Sequence, residues 1–114
     1  MTETERVLFA GRLGSQWVRV WVEDRGGKIV LASHDIGPEL DEFFGKDEME
    51  TYLEVDARHV PKLTAALRAD WPDPHPPMHA IELLAARYDG DSTATTELRT
   101  WLTERGIPHR FTIV

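Results

Sequence analysis

Apolar and polar residues alternate through the first third of the chain. Arg6 to Leu13 and Gln16 to Glu23 are rich in Val, Leu, Phe and Trp, the residue types that suit a pleated, half-buried surface. Gly14-Ser15 between them predicts a two-residue hairpin loop. Asp24-Arg25-Gly26-Gly27 predicts a second turn, since glycine accepts a positive φ without steric cost, and Lys28 to Ser33 predicts a third strand. Asp35-Ile36-Gly37-Pro38 ends this meander. Glu39 to Phe44 predicts a short helical turn closed by Gly45, and Met49 to Val55 alternates again as a fourth strand.

The period then changes to that of helices. Val60, Leu63, Ala66 and Leu67 share one helical stripe, with Asp56 placed to cap the segment and Pro61 marking where the regular helix starts. Trp71-Pro72-Asp73-Pro74-His75-Pro76-Pro77 predicts a stiff, extended connector. Met78 to Tyr88 reads as a second helix. A third, capped by Ser92 or Thr93 and running through Glu104, buries Leu98, Trp101 and Leu102 and is closed by Gly106. Ile107, His109, Phe111 and Ile113 alternate with Pro108, Arg110, Thr112 and Val114, which predicts a last strand from Ile107 to Val114 whose Phe111 and Ile113 are buried. The order β-β-β-(α)-β-α-α-α-β predicts an α+β fold, a mainly antiparallel sheet with helices packed on one face. At 114 residues the whole chain, 1–114, is expected to form one domain.

Alternation also sorts the strands by face. Val18, Val20 and Val22 suit a helix-covered core, which leaves Trp17, Arg19, Trp21 and Glu23 on the opposite side. With Met49, Thr51, Leu53 and Val55 inward, Glu50, Tyr52 and Glu54 join that second face. A face with this mixture of aromatics and Arg has the composition of a binding hot spot. The competing expectation is that the chain covers the tryptophans itself, with the segment around 35–45 or the proline connector.

Charge changes the picture by its distribution. The net charge of −7 disfavours nucleic acid as a direct ligand. Between Asp35 and Asp56, nine acids face Lys46 alone, a local net of −8 that leaves the rest of the chain at about +1. This acidic segment reads as a solvated loop, as a cation site, or as a docking surface for a basic protein. The adjacent Phe43 and Phe44 favour the last, while the Asp-x-Asp-x-Asp-Gly order of a calcium loop is missing. No apolar run reaches membrane-spanning length, and the polar start Met1 to Arg6 lacks a secretory pattern, so a cytoplasmic protein is expected.

Candidate chemistry is sparse. Cys is absent, which removes disulfides and thiolate sites together. His75 and His79 are four apart, but Pro76 and Pro77 between them prevent one regular helix from presenting both, so no metal or other cofactor is expected. Ser33-His34-Asp35 cannot act as a triad, because neighbours on a strand point to opposite faces. No phosphate-binding glycine loop, His-Glu-x-x-His or Gly-x-Ser-x-Gly occurs.

Asp35-Ile36-Gly37, Glu42-Phe43-Phe44-Gly45, Glu48-Met49-Glu50 and Val60-Pro61-Lys62-Leu63, with the closing Trp101-Leu102 and Gly106-Ile107-Pro108, resemble a set of small bacterial proteins without an established activity. The resemblance implies a fold rather than a reaction.

The sequence therefore leads to a non-enzymatic, acidic protein-binding module, such as an inhibitor of the immunity or antitoxin kind acting on a basic partner. Its expected binding residues are Trp17, Arg19, Trp21 and Tyr52, with the acids Asp41, Glu42, Asp47, Glu48 and Glu50 beside them. Two alternatives stand next to it. One is a small enzyme or small-molecule binder with a pocket between sheet and helices, Arg19, His34 and Asp35 near its rim. The other is a structural subunit that homodimerises through the aromatic face.

Overall fold

A computed structural model describes residues 5–38 and 47–114. Strands β1 (Glu5–Leu13), β2 (Gln16–Arg25), β3 (Lys28–Ile36) and β4 (Glu48–Val55) are followed by a 3-10 turn (Ala57–His59). Helices α1 (Val60–Ala69), α2 (Ala80–Arg87) and α3 (Ala94–Glu104) come next, and β5 (Arg110–Ile113) ends the fold. The strands form one antiparallel sheet in the order β1-β2-β3-β4-β5. The chain thus leaves β4, lays its helices on one side of the sheet and returns beside β4, the expected α+β arrangement.

Both predicted hairpin turns form. Leu13 pairs with Gln16 around Gly14-Ser15, with Gly14 at φ 63°. Arg25 pairs with Lys28 around Gly26 and Gly27, at φ 62° and 92°, and Asp24 Oδ1 accepts the Gly27 N–H at 2.7 Å. These backbone angles match the right-handed twist of the flanking strands.

Packing on the helix side follows the alternation. Val20, Val22, Ile29, Leu31, Leu53 and Val55 of the sheet are buried against Leu63, Leu67, Leu83, Leu84, Leu98 and Leu102 of the helices. The register shifts between Val7 and Phe9 in β1. This bulge lets Leu8 enter the core with Phe9 packed beside it, and the Leu8 carbonyl accepts the Gly90 N–H at 2.7 Å. The α2–α3 loop thereby covers part of an otherwise open sheet edge.

Several expectations need correction. Strand β3 continues past Ser33 to Ile36, because Asp35 and Ile36 still pair with Val18 and Trp17, and it stops at Gly37, whose N–H turns to Asp47 O at 2.8 Å. Helix α2 starts at Ala80, two residues later than expected, with extended His79 before it. Asp56 and Thr93 occupy N-cap positions without capping through their side chains. Instead the Thr93 hydroxyl donates to Asp91 Oδ1 at 2.7 Å.

The last strand is also shorter than its alternation suggests. Gly106 at φ 63° and Ile107 close α3, their N–H groups donating to Thr103 O at 3.2 Å and Leu102 O at 3.0 Å. This is a Schellman cap, so Ile107 is buried as part of the helix end and pairing starts at Arg110. Phe111 is half-buried against the core, while Ile113 remains 56% exposed at the sheet's end, not buried as expected. The helical turn expected at Glu39 to Phe44 lies outside the described residues.

Candidate functional site: the open face of the sheet

Residues paired across antiparallel strands project to the same side, so the register defines the uncovered face row by row. Nearest the 37–47 connection, Arg12, Trp17, Ile36 and Glu48 form one row, and Ala10, Arg19, His34 and Glu50 the next. The middle row is Val7, Trp21, Ala32, Tyr52 and Thr112, followed by Glu5, Glu23, Val30, Glu54 and Arg110. The sequence-predicted Trp17, Arg19, Trp21, Glu50 and Tyr52 therefore do share one face. Among the described residues no helix covers either tryptophan: Trp17 is 57% exposed, and Trp21 is half-buried. Asp47 and Glu48 are exposed at the entrance to β4, whereas Asp41 and Glu42 lie outside the described residues.

Depth varies along this face. Val30 and Ala32 on the middle strand have no accessible surface although no helix covers them. Their cross-strand neighbours, Glu23 and Glu54 for Val30 and Trp21 and Tyr52 for Ala32, are taller and close over the trough. Val7 at 48% and Ile36 at 42% exposure extend the apolar surface beside Trp17 and Trp21.

Polar contacts hold the aromatic rings in place. The Arg19 guanidinium lies 4.4 Å from the centre of the Trp21 ring and donates to Glu5 Oε1 at 2.7 Å. Trp21 Nε1 donates to Glu23 Oε1 at 3.1 Å, and Arg25 donates to the same oxygen at 2.8 Å. Burial pushes the Glu23 carboxyl up, but these two hydrogen bonds and the charges of Arg25 and Arg19 outweigh it and hold the group below its ordinary value. The Tyr52 hydroxyl donates to Glu50 Oε2 at 2.7 Å, and that bond, with burial second, pushes the phenol up. Arg25 stands 5.5 Å from the Tyr52 ring.

Among the described residues charge on this face is balanced, which the acidic segment did not foreshadow. Glu5, Glu23, Glu48, Glu50 and Glu54 share it with Arg12, Arg19, Arg25, Lys28 and Arg110. Glu54 is met by Lys28 at 3.3 Å and by Arg110 at 3.8 Å. His34 Nε2 approaches Glu48 at 3.4 Å without forming a hydrogen bond. The signs are unevenly placed, with Arg12 and Arg19 on the β1–β2 side and Glu48 and Glu50 on the β4 side. That placement was invisible in the sequence, since it depends on which strands become neighbours.

The helix side divides the residues of the alternative pocket reading. Arg19 and His34 stand on the open face, whereas Asp35, paired with Val18 and Met49, stands on the other, so these three do not converge. Asp35 borders a cleft of about 240 Å³ with Gln16, Ser33, Thr51, Thr93 and Thr96. Burial pushes its carboxyl up, partly opposed by the nearby His34. Ser33 and Thr51, neighbours on β3 and β4, join their hydroxyls there. A second cleft, of about 210 Å³, lies between the far sheet end and α2, lined by Arg6, Asp24, Ile29, Met78, His79 and Glu82. His75 sits in the proline connector, away from regular helix. Among the described residues no group of three His, Asp or Glu is placed to hold a metal ion, and no helix is long and apolar enough to cross a membrane.

Comparison of the chain with protein-family models, with curated proteins and with solved structures finds no match.

Proposed function

We propose that the protein is a non-enzymatic protein-binding module that docks its partner on the open face of the sheet, in the manner of an immunity or antitoxin-like inhibitor directed at a basic protein. One observation carries the reading. Among the described residues the helices pack on one side of the sheet, and the other side carries an exposed Trp17 and a half-buried Trp21 with Val7, Ile36 and Tyr52. Two apolar rows, Trp17 with Ile36 and Val7 with Trp21 and Tyr52, interleaved with charged residues, have the mixed composition of an interaction surface. The partner's basic character is supported by the net charge of −7 and by Asp47, Glu48 and Glu50 at the entrance to β4, which set a negative rim beside these rows.

The test is kinetic and uses the protein crosslinked to this chain in its native cells. Reversing Asp41, Glu42, Asp47 and Glu48 slows association and flattens its salt dependence, because rim charges act on encounter. Truncating Trp21 to Ala speeds dissociation, with a loss of about 2 kcal/mol for a central anchor. A partner whose binding ignores both sets of substitutions overturns the proposal.

A further inference from the structure

We infer that the open face is a homodimer interface, on which a second copy of the chain packs face to face about a twofold axis running along β3. The inference rests on reading this face as a docking surface and names its occupant when no other partner is present.

Three observations support a second copy. The first is charge. A net charge of −7 opposes association of two copies, yet among the described residues this face carries as many bases as acids. Two copies can meet there with less of that penalty.

The second is self-complementarity. A twofold axis along β3 exchanges β2 with β4 and β1 with β5 while keeping each end of the strands with its own end. Arg19 then faces Glu50 of the partner subunit, and Glu5 faces Arg110 of the partner subunit. In the middle row Trp21 meets Tyr52 of the partner subunit. Ala32, closed over by both rings within each chain, lies beneath the axis, so the two pairs of rings meet above it. Glu23 faces Glu54 of the partner subunit, a like pair, but each already has a base of its own, Arg25 at 2.8 Å and Lys28 at 3.3 Å. Aligned packing of this kind is the common way for two sheets to meet.

The third is area. Four strands of 8 to 10 residues and the four-residue β5, about 4.8 Å apart, present a face of roughly 600 Å². That reaches the lower end of the range around ~800 Å² per partner of a standard specific interface. Trp17 and Ile36, adjacent in register and both exposed in the single chain, are the apolar surface such a contact removes from water.

The experiment measures the mass of the 114-residue chain by sedimentation or light scattering over a concentration series. A species of twice 13.0 kDa that dissociates on dilution is expected. Arg19→Glu and Glu50→Arg each weaken the dimer by about tenfold or more, since each leaves like charges facing. The double variant Arg19→Glu/Glu50→Arg restores it, because the reversed pair meets across the twofold. Far-ultraviolet circular dichroism and melting curves confirm that each variant is folded, and Trp17→Ser, at an exposed position, supplies a variant that weakens the dimer without burdening the core. A chain that stays monomeric at every concentration overturns the inference, as does a dimer whose mass ignores all four variants. A monomer whose heterologous partner still depends on Trp21 removes the second copy and leaves the docking face in place.

Discussion

Trp101 Nε1 donates a hydrogen bond to Asp70 Oδ2 at 3.1 Å, fastening the core-facing side of α3 to the end of α1. The indole is buried, and the Arg105 and Arg87 guanidinium groups stand 4.3 and 5.2 Å from its centre. Both arginines also reach the same carboxylate oxygen, at 2.9 and 3.6 Å. One acid thus satisfies a buried donor and anchors two cations over the ring, tying the end of α1 to α3.

Asp70→Ala is expected to destabilise the fold by about 1 to 3 kcal/mol, because it strands the indole N–H as well as breaking the ion pairs. The same substitution in a Trp101→Phe background costs less, since the stranded donor is gone. Denaturant unfolding of the four proteins in the cycle measures the difference, and strict additivity would contradict the coupling.

Gly37→Ala is expected to cost about 1 to 3 kcal/mol through overpacking. A Cβ there would stand 2.7 Å from Gln16 Cγ and 3.1 Å from Gln16 Cα, where β3 ends against the start of β2. Gly14→Ala gives the contrast. Nothing lies within 4 Å of its added Cβ, so any loss there reports the φ of 63° alone. Thermal melts of both variants separate steric closure from backbone strain.

Phe111→Ala should destabilise the domain more than Ile113→Ala. Phe111 pairs with Leu53, packs against the core and has Arg99 at 4.0 Å from its ring centre, whereas Ile113 remains largely in water. The expected values are about 2 kcal/mol or more for the first and well under about 1 kcal/mol for the second. Removing residues 109–114 takes away all of β5 and bares the edge of β4, and cooperative melting is expected to be lost. A truncated chain that melts near the wild-type temperature would contradict this.

Asp35→Asn should raise stability near neutral pH. Burial lifts the folded-state value of this carboxyl above its unfolded one, so keeping it ionised costs folding free energy at any pH above the folded value. As pH falls through that value the wild-type group takes up its proton and the cost disappears, so the advantage of Asn shrinks in acid. Melting temperatures of the two proteins at about pH 7 and about pH 3 check the sign. A difference independent of pH would show that the carboxyl carries no burial penalty.

Strand periodicity was enough to assign the elements and the two faces of the sheet. Val18, Val20 and Val22 had to part from Trp17, Arg19 and Trp21, because the pleat sends successive side chains to opposite sides whatever the partner strands are. Glycines at 14, 26 and 27 likewise marked turns that local sterics alone decide. What local pattern misjudged were contacts set by distant residues. Ile107 alternates with the strand residues after it, yet it was taken by the helix before it, since the buried carbonyl ends of α3 needed its N–H and the core had room for its side chain. Gly37 looks like an ordinary breaker until Gln16, two strands back along the meander, is found against it.

The candidate site divides along the same line. That Trp17, Trp21 and Tyr52 would share a face follows from alternation within each strand, so it was legible in the sequence. That Trp21 and Tyr52 would flank Ala32, that Arg19 would stand on the opposite side of β3 from Glu50, and that the bases would balance the acids of this face all depend on strand order and register. Those are properties of pairings between residues far apart in the chain, selected by the packing of the helix-covered side, and only the tertiary structure decided them.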